Sequence, residues 1–388
     1  MKMKRFLCVL LAVMCLIPAA VGEGVDTEAL GNELDKVFKN HKATGGIVVV
    51  AKDGEIVFEH AYGYADKKSR EKVTGDHYFN VASVTKFISG IGIMKLVDEG
   101  KIDLDASIGD ALGFEVYNPY YPEETVSLRH IMSHTTGLSS KGGYSKSGRR
   151  LDTILPASLN RKIEWHDRKP GSKYEYSNYA AGLMGSMMEY VTGQNVNDYM
   201  TEAVFAPLGM DAAYHPALLQ DTSLVTSRYE ADGTQYCTRE NALLMDWDPS
   251  CDPYGHYRIT VGKIWIRGRD LCRLGILMLN GGTLDGVKIL EPETVAEMMS
   301  GQQGKPGVTV DSPYGLCVNR VTTLLEDGTM FYGHQGMNES TCANLYFEPE
   351  SGFVFAFITN GAIVKQKNRI VGLSRKLFAP CWEAFGAD

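Results

Sequence analysis

The chain has 388 residues, 44% of them hydrophobic and 22% charged, which excludes a disordered tract, a collagen and a coiled coil. Its formal net charge is −8, and no basic run offers a phosphate-binding surface, so a nucleic-acid partner is excluded as well. The length suits two structural units or one large mixed unit.

The first 22 residues have the order of a secretory signal. Lys2, Lys4 and Arg5 are followed by the apolar run Phe6 to Ile17, then Pro18 and small residues, with Ala20-Val21-Gly22 as the cleavage site. The apolar run is about 12 residues, short of the roughly 20 that span a bilayer. Residues 1–22 are therefore expected to be removed, and residues 23–388 to act in the periplasm, the cell envelope or outside the cell. Eight cysteines are present, and Cys8 and Cys15 leave with the signal. Cys237 and Cys251 share one polar stretch and are the expected disulfide pair, while the other four read as free buried thiols.

A short helix is expected over Asp26–Lys39. The β-branched run Gly45–Lys52, the turn Asp53-Gly54 and the stretch Glu55–Ala65 form an antiparallel hairpin. Ser83–Glu99 reads as a helix closed by Gly100, and its apolar residues lie nearly all round, as in a buried helix. Leu128–His134, Tyr179–Thr192, Val196–Phe205, Asp270–Leu279 and Pro292–Ser300 are further helices. Strands return over Gly315–Val321, Gly328–Gly333, Thr341–Glu348 and Gly352–Asn360, and a last helix over Val364–Leu377. The fold class is α+β: one antiparallel sheet from N- and C-terminal strands, flanked by helices, with a large all-helical insertion. The α/β part covers 23–82 and 261–388, and the mainly helical part 83–260.

Three short motifs carry chemistry. Ser83-Val84-Thr85-Lys86 opens the buried helix, and i,i+3 spacing sets Lys86 beside the Ser83 hydroxyl. Burial favours a neutral lysine able to take a proton, and a helix start favours developing negative charge. A second copy, Ser69-Arg70-Glu71-Lys72, lies in a charged link and reads as solvated surface. A plain helix cap with a snorkelling lysine is the structural alternative for the first copy. Tyr176-Ser177-Asn178 offers a phenol for proton relay and an amide for a substrate carbonyl and the lysine. Its look-alike Tyr78-Phe79-Asn80 reads as core packing. His334-Gln335-Gly336 lies in a strand-like stretch where glycine lets a substrate backbone approach, and the N–H groups of Ser83 and Met337 suit an oxyanion hole.

These motifs in this order resemble the serine β-lactamase/penicillin-binding superfamily. Within it the chain is similar to the class C β-lactamase-related group, which holds D-Ala-D-Ala carboxypeptidases and family VIII esterases. Phe79-Asn80-Val81-Ala82, the stretch Leu128 to Leu138, Pro170-Gly171 and Asp270-Leu271 fit the same group, so the resemblance covers nearly all of residues 23–388. It implies that Ser83 is acylated, that Lys86 shares its proton, that Tyr176 is the general base, and that Asn178, His334, Gln335, Gly336 and Met337 bind substrate. His334 stands where class C β-lactamases carry a lysine, and Gln335 where a small hydroxyl residue is usual. Both changes weaken the case for efficient β-lactam hydrolysis.

The expectation is an exported serine hydrolase acting through an acyl-enzyme, with no metal and no cofactor. Its partner is a small-molecule or peptide-like substrate, such as a cell-wall peptide or a β-lactam. A D-alanyl peptidase or related amidase stands first, an esterase second and a β-lactamase third. A penicillin-binding sensor that is acylated without turnover is the alternative of another class. Asp246 to Asp252 lacks the glycine and glutamate of a calcium loop and reads as a surface loop, or as a rim that chooses substrates. His130 and His134 lack the intervening glutamate of a zinc helix and read as packing or capping residues. Arg267-Gly268-Arg269 has no evident role.

Overall fold

The computed structural model describes residues 24–146, 148–302, 313–363, 366–367 and 370–386. The signal-like residues 1–22 lie outside them. A seven-stranded sheet is built from both ends of the chain. Its order is Asn319–Val321, Phe331–Asn338, Thr341–Glu348, Phe353–Thr359, Gly45–Lys52, Glu55–Asp66 and Glu71–Lys72, with each neighbouring pair antiparallel.

Residue alternation explains why Gly45–Lys52 is apolar up to its last residue. Val48 and Val50 enter a core with Leu34, Phe38, Phe355, Leu373 and Phe378, under the helices Thr27–Asn40 and Gly372–Phe385. Ile47 and Val49 enter the core on the other side, with Phe87, Ile91 and Leu271. Successive side chains of a strand point to opposite faces, so a strand covered on both faces has no polar side. The Val84–Asp98 helix is buried along nearly its whole length. The middle of the chain wraps it with helices, 3-10 turns and two short two-stranded ladders.

Gly268 now has a reason. A Cβ there would meet Ile47 Cγ2 at 2.9 Å, so only glycine lets the Gly268–Leu279 helix lie this close to the sheet. Its neighbours tie parts of the chain together: Arg267 donates to the Asp76 carbonyl at 3.2 Å, and Arg269 pairs with Glu59 at 3.0 Å.

Several elements differ from expectation. The strand expected over Gly328–Gly333 is Phe331–Asn338, so the His-x-Gly triplet lies inside it. Gly315–Val321 is strand only from Asn319, because Cys317 takes a left-handed backbone (φ 56°) that breaks the ladder. Val196–Phe205 is α-helical to Met200 and then forms a π turn. The expected final helix Val364–Leu377 begins partly outside the described residues; the observed helix is Gly372–Phe385. It runs past Leu377 because Phe378, Cys381 and Phe385 continue its buried face, which outweighs the backbone bond lost at Pro380. The expected Cys237–Cys251 disulfide is absent, and both thiols are free. They face different partners, the Thr238 carbonyl and the Glu189 carbonyl respectively. The other four are free and buried.

Candidate active site

The chain turns sharply from the buried strand Tyr78–Asn80 into the Val84–Asp98 helix. Ala82 has φ 45°, a left-handed conformation that costs a non-glycine residue roughly 1 kcal/mol or more. Asn80 braces it. Its Oδ1 accepts from Ala82 N–H at 3.2 Å, and its Nδ2 donates to the carbonyls of Gly262 and Ile264 at 3.1 and 3.2 Å. Tyr78-Phe79-Asn80 is thus core, as its apolar setting implied, and it also supports the next turn.

Ser83 occupies the cap position without making a side-chain cap, so its hydroxyl is free for other contacts. Lys86 Nζ lies 3.0 Å from Ser83 Oγ and donates to the Val261 carbonyl at 2.7 Å. Lys86 is 0% exposed, so it does not snorkel, and the helix-cap reading fails on both counts. Burial pushes the Lys86 ammonium down to about 7, against a slight opposing effect of Cys317.

Tyr176 closes the other side. Its ring centroid lies 5.1 Å from Lys86 Nζ. Burial pushes its phenol above the ordinary range, while a hydrogen bond with the Ser83 side chain works against that. Ser177 caps the next helix by accepting from Ala180 N–H at 3.1 Å. Asn178 begins that helix and is exposed. It makes no hydrogen bond to Lys86, whose second partner is the Val261 carbonyl.

The Phe331–Asn338 strand supplies the third side. His334 is 1% exposed and its Nδ1 donates to the Gln335 carbonyl at 2.6 Å. Burial, then the nearby Lys86, pushes it down to about 3, so it stays neutral. A Cβ on Gly336 would meet Val81 O at 2.2 Å and Ser83 N at 2.9 Å, so the strand touches the serine turn at its glycine. Asn338 Nδ2 reaches Asn80 Oδ1 at 3.4 Å. Gln335 and Met337 fall on the alternate side of the strand; Gln335 is half-buried and Met337 exposed. The structure therefore gathers Ser83, Lys86, Tyr176, His334 and Gly336, and leaves Asn178 and Met337 at the solvent edge.

Two residues of this site are absent from the sequence-based set. His134 packs its ring 4.4 Å from that of Tyr176, and Tyr314 lies 5.2 Å from His134 and 6.2 Å from His334. His130 does cap a helix, accepting from Ser127 N–H at 3.2 Å, but His134 belongs to the site. Its only signal was its place in the stretch Leu128 to Leu138, which does not reveal a contact with a residue 42 positions later.

A helix-flanked antiparallel sheet with a half-buried serine beside a fully buried lysine at a helix entrance defines the penicillin-binding and β-lactamase fold class. The chain matches the beta-lactamase family over residues 31–371, and it belongs to that family of serine hydrolases. It is 27% identical to penicillin-binding protein 4 of Amycolatopsis lactamdurans, over 85% of this chain and 84% of that one. It is 32% identical to a D-aminopeptidase of Brucella anthropi, over 53% of this chain and 39% of that protein, so the match spans less than half of that relative. The D-amino acid amidase of Ochrobactrum anthropi SV3, complexed with L-phenylalanine amide, shares the fold with a TM-score of 0.67 and 20% identity, over 92% of this chain and 99% of that one.

Proposed function

We propose that this chain is an exported serine amidase or peptidase that forms an acyl-enzyme at Ser83, with esters as accessible substrates of the same chemistry. The observation that carries the reading is the fully buried Lys86 amine 3.0 Å from the Ser83 hydroxyl. Neutral Lys86 keeps one N–H on Val261 O and turns its lone pair to the hydroxyl. Ser83 Oγ attacks the substrate carbonyl as its proton passes to Lys86. The N–H groups of Ser83 and Met337 hold the oxyanion. The tetrahedral adduct expels an amine or alcohol, which takes the proton back through Tyr176. Water then attacks the ester of Ser83, and the same groups return the serine hydroxyl and release the acid. The resemblance gives the role of base to Tyr176, but burial favours its neutral phenol, which suits a relay and supports Lys86 as the acceptor.

His334 bears on the substrate. A neutral imidazole stands where class C β-lactamases carry a lysine, and the longer Gln335 stands where a threonine hydroxyl would bind a substrate carboxylate. β-Lactams and peptides ending in a free carboxylate lose that attraction, whereas amides and N-terminal residues do not need it. The relatives named D-aminopeptidase and D-amino acid amidase support a D-aminoacyl amide or peptide as substrate. The basic, apolar, small order of residues 1–22 supports export, which N-terminal sequencing of the secreted protein tests.

The decisive experiment compares D-phenylalanine amide, D-Ala-D-Ala, benzylpenicillin and p-nitrophenyl acetate on the purified protein and on Ser83→Ala. Hydrolysis of the amide and the ester, lost in Ser83→Ala, is the expected result. Activity that survives that change overturns the nucleophile. A lasting penicillin adduct with no turnover of any substrate overturns the hydrolase in favour of a sensor.

A further inference from the structure

Tyr176 sits on irregular chain just ahead of a helix, and such chain positions a side chain poorly unless something pins it. Both neighbours of Tyr176 are held by one residue. Glu175 N–H donates to the His134 carbonyl at 2.8 Å, and Ser177 N–H donates to His134 Nδ1 at 3.2 Å. Between these two bonds the His134 and Tyr176 rings lie 4.4 Å apart. His134 has φ 57°, a left-handed conformation that persists in a non-glycine residue only where its surroundings demand it. The rings of Tyr314 and Tyr174, 5.2 and 5.8 Å away, pack against its ring as well.

We propose that His134 is a positioning residue that clamps the Glu175–Ser177 segment from both sides and so holds Tyr176 over Lys86, and that it does this only as a neutral ring carrying its proton on Nε2. The inference rests on the proposed roles of Tyr176 and Lys86. A backbone N–H can only donate, so Nδ1 must be the acceptor, which leaves the proton on Nε2. A second proton would fall on Nδ1 and break the bond from Ser177. The titratable groups facing this ring are Lys86, His334 and the phenols of Tyr174, Tyr176 and Tyr314. Burial first, then Lys86 and His334, holds His134 well below its usual range. His334 is the opposite tautomer, since its Nδ1 donates to a carbonyl.

Nitrogen-15 NMR of the histidine rings of the full protein tests this without any activity, using His134→Asn to assign the signal. His134 is expected as the neutral Nε2–H tautomer from pH about 5 to about 8, and His334 as the neutral Nδ1–H tautomer. A His134 with its proton on Nδ1, or one that becomes charged in that range, overturns the clamp. In kinetics, His134→Ala is expected to lower kcat about 100-fold with KM changed far less. It should also move the acid limb of the rate profile to higher pH, because water reaching Lys86 relieves the burial that depresses it. His134→Asn keeps an acceptor and tolerates the left-handed backbone, so it should recover most of the loss. A folded His134→Ala with unchanged kcat and acid limb overturns the proposal, as does an asparagine variant no better than alanine. If Ser83→Ala keeps its activity, the assigned reaction fails while the NMR result still decides the clamp.

Discussion

The chain contains Ser-x-x-Lys twice, 14 residues apart, and the two copies share nothing beyond the pattern. Ser69 lies in a turn, where its N–H and its hydroxyl both bond to Asp66 Oδ1, at 2.7 and 2.9 Å. Lys72 lies in a two-residue edge strand with its amine 3.9 Å from the centre of the Tyr64 ring. Ser69 lies in the turn and Lys72 in the strand after it, so no helix face aligns the two as i,i+3 spacing would. Ser83 and Lys86 have the same spacing at a helix entrance, where the helix aligns them and the surrounding core removes water. The nucleophile–base pair arises from the burial of the lysine, and the motif only allows it.

The strongest way to break this comparison is to remove each lysine. Lys86→Ala is expected to lower kcat/KM for ester or amide hydrolysis about 1,000-fold or more. Lys72→Ala should change it less than about twofold, since an exposed side chain away from the site has little to lose. Equal effects on steady-state rates would refute the assignment of the two copies.

Next in size is Gly336→Ala. The added methyl would sit 2.2 Å from the Val81 carbonyl oxygen and 2.9 Å from Ser83 N. Both are backbone atoms of the turn that Asn80 braces, so the strand has to move instead. A shift near 1 Å between Ser83 and the strand is expected to lower kcat about 100-fold while circular dichroism shows the fold intact. A variant with normal kcat would mean that the strand edge takes no part in binding the reacting group.

Much of the sheet is legible in the residues alone. Gly45–Lys52 and Thr341–Glu348 have the expected bounds, because the first carries an unbroken β-branched run and the second consecutive large apolar residues, Leu345 to Phe347, as strands covered on both faces do. The Ser83/Lys86 pair is legible for a related reason: packing alone gives no cause for a lysine one turn into an apolar helix. The wall behind it is not legible. His134 reaches Tyr176 through a left-handed backbone and a side chain to main chain bond across 43 residues, and neither leaves a local pattern. Cys317 likewise breaks the expected strand through a backbone conformation that its residue type does not announce. Asn80 is readable as buried, yet its brace on Ala82 depends on the Gly262 and Ile264 carbonyls arriving from far along the chain.

The pH dependence of stability sharpens the comparison through one variant. Lys86 is lowered by burial to about 7 in the folded protein, against about 10.4 in the unfolded chain. Its charged form is therefore a cost to the folded state, fully present below about pH 7 and fading as pH rises toward 10.4. Lys86→Met removes that cost. Its stability relative to the parent should be more favourable at pH 6 than at pH 9 by about 2–3 kcal/mol, measured by denaturant unfolding. The same substitution at Lys72 should stay within about 1 kcal/mol at either pH. A Lys86→Met variant whose relative stability is flat between these values would mean that the lysine is not held in its uncharged form.

The smallest expected effect belongs to Ser69→Ala. Its hydroxyl bond to Asp66 is exposed, and the Ser69 backbone N–H bond to the same oxygen survives the change. Asp66 also keeps Ser227, whose hydroxyl donates to its other oxygen at 2.7 Å. The carboxylate thus stays partnered and in contact with water, so the loss should be within about 0.5 kcal/mol, with hydrolysis unchanged. At Ser83 the same removal of one oxygen takes away the nucleophile and leaves the amine of Lys86 buried with the Val261 carbonyl as its remaining bond. Thermal melting and ester hydrolysis measured on both alanine variants test the contrast directly: a stability loss above about 1 kcal/mol at Ser69 would show that the exposed copy is itself a structural link, and a detectable loss of activity there would place it in the reaction.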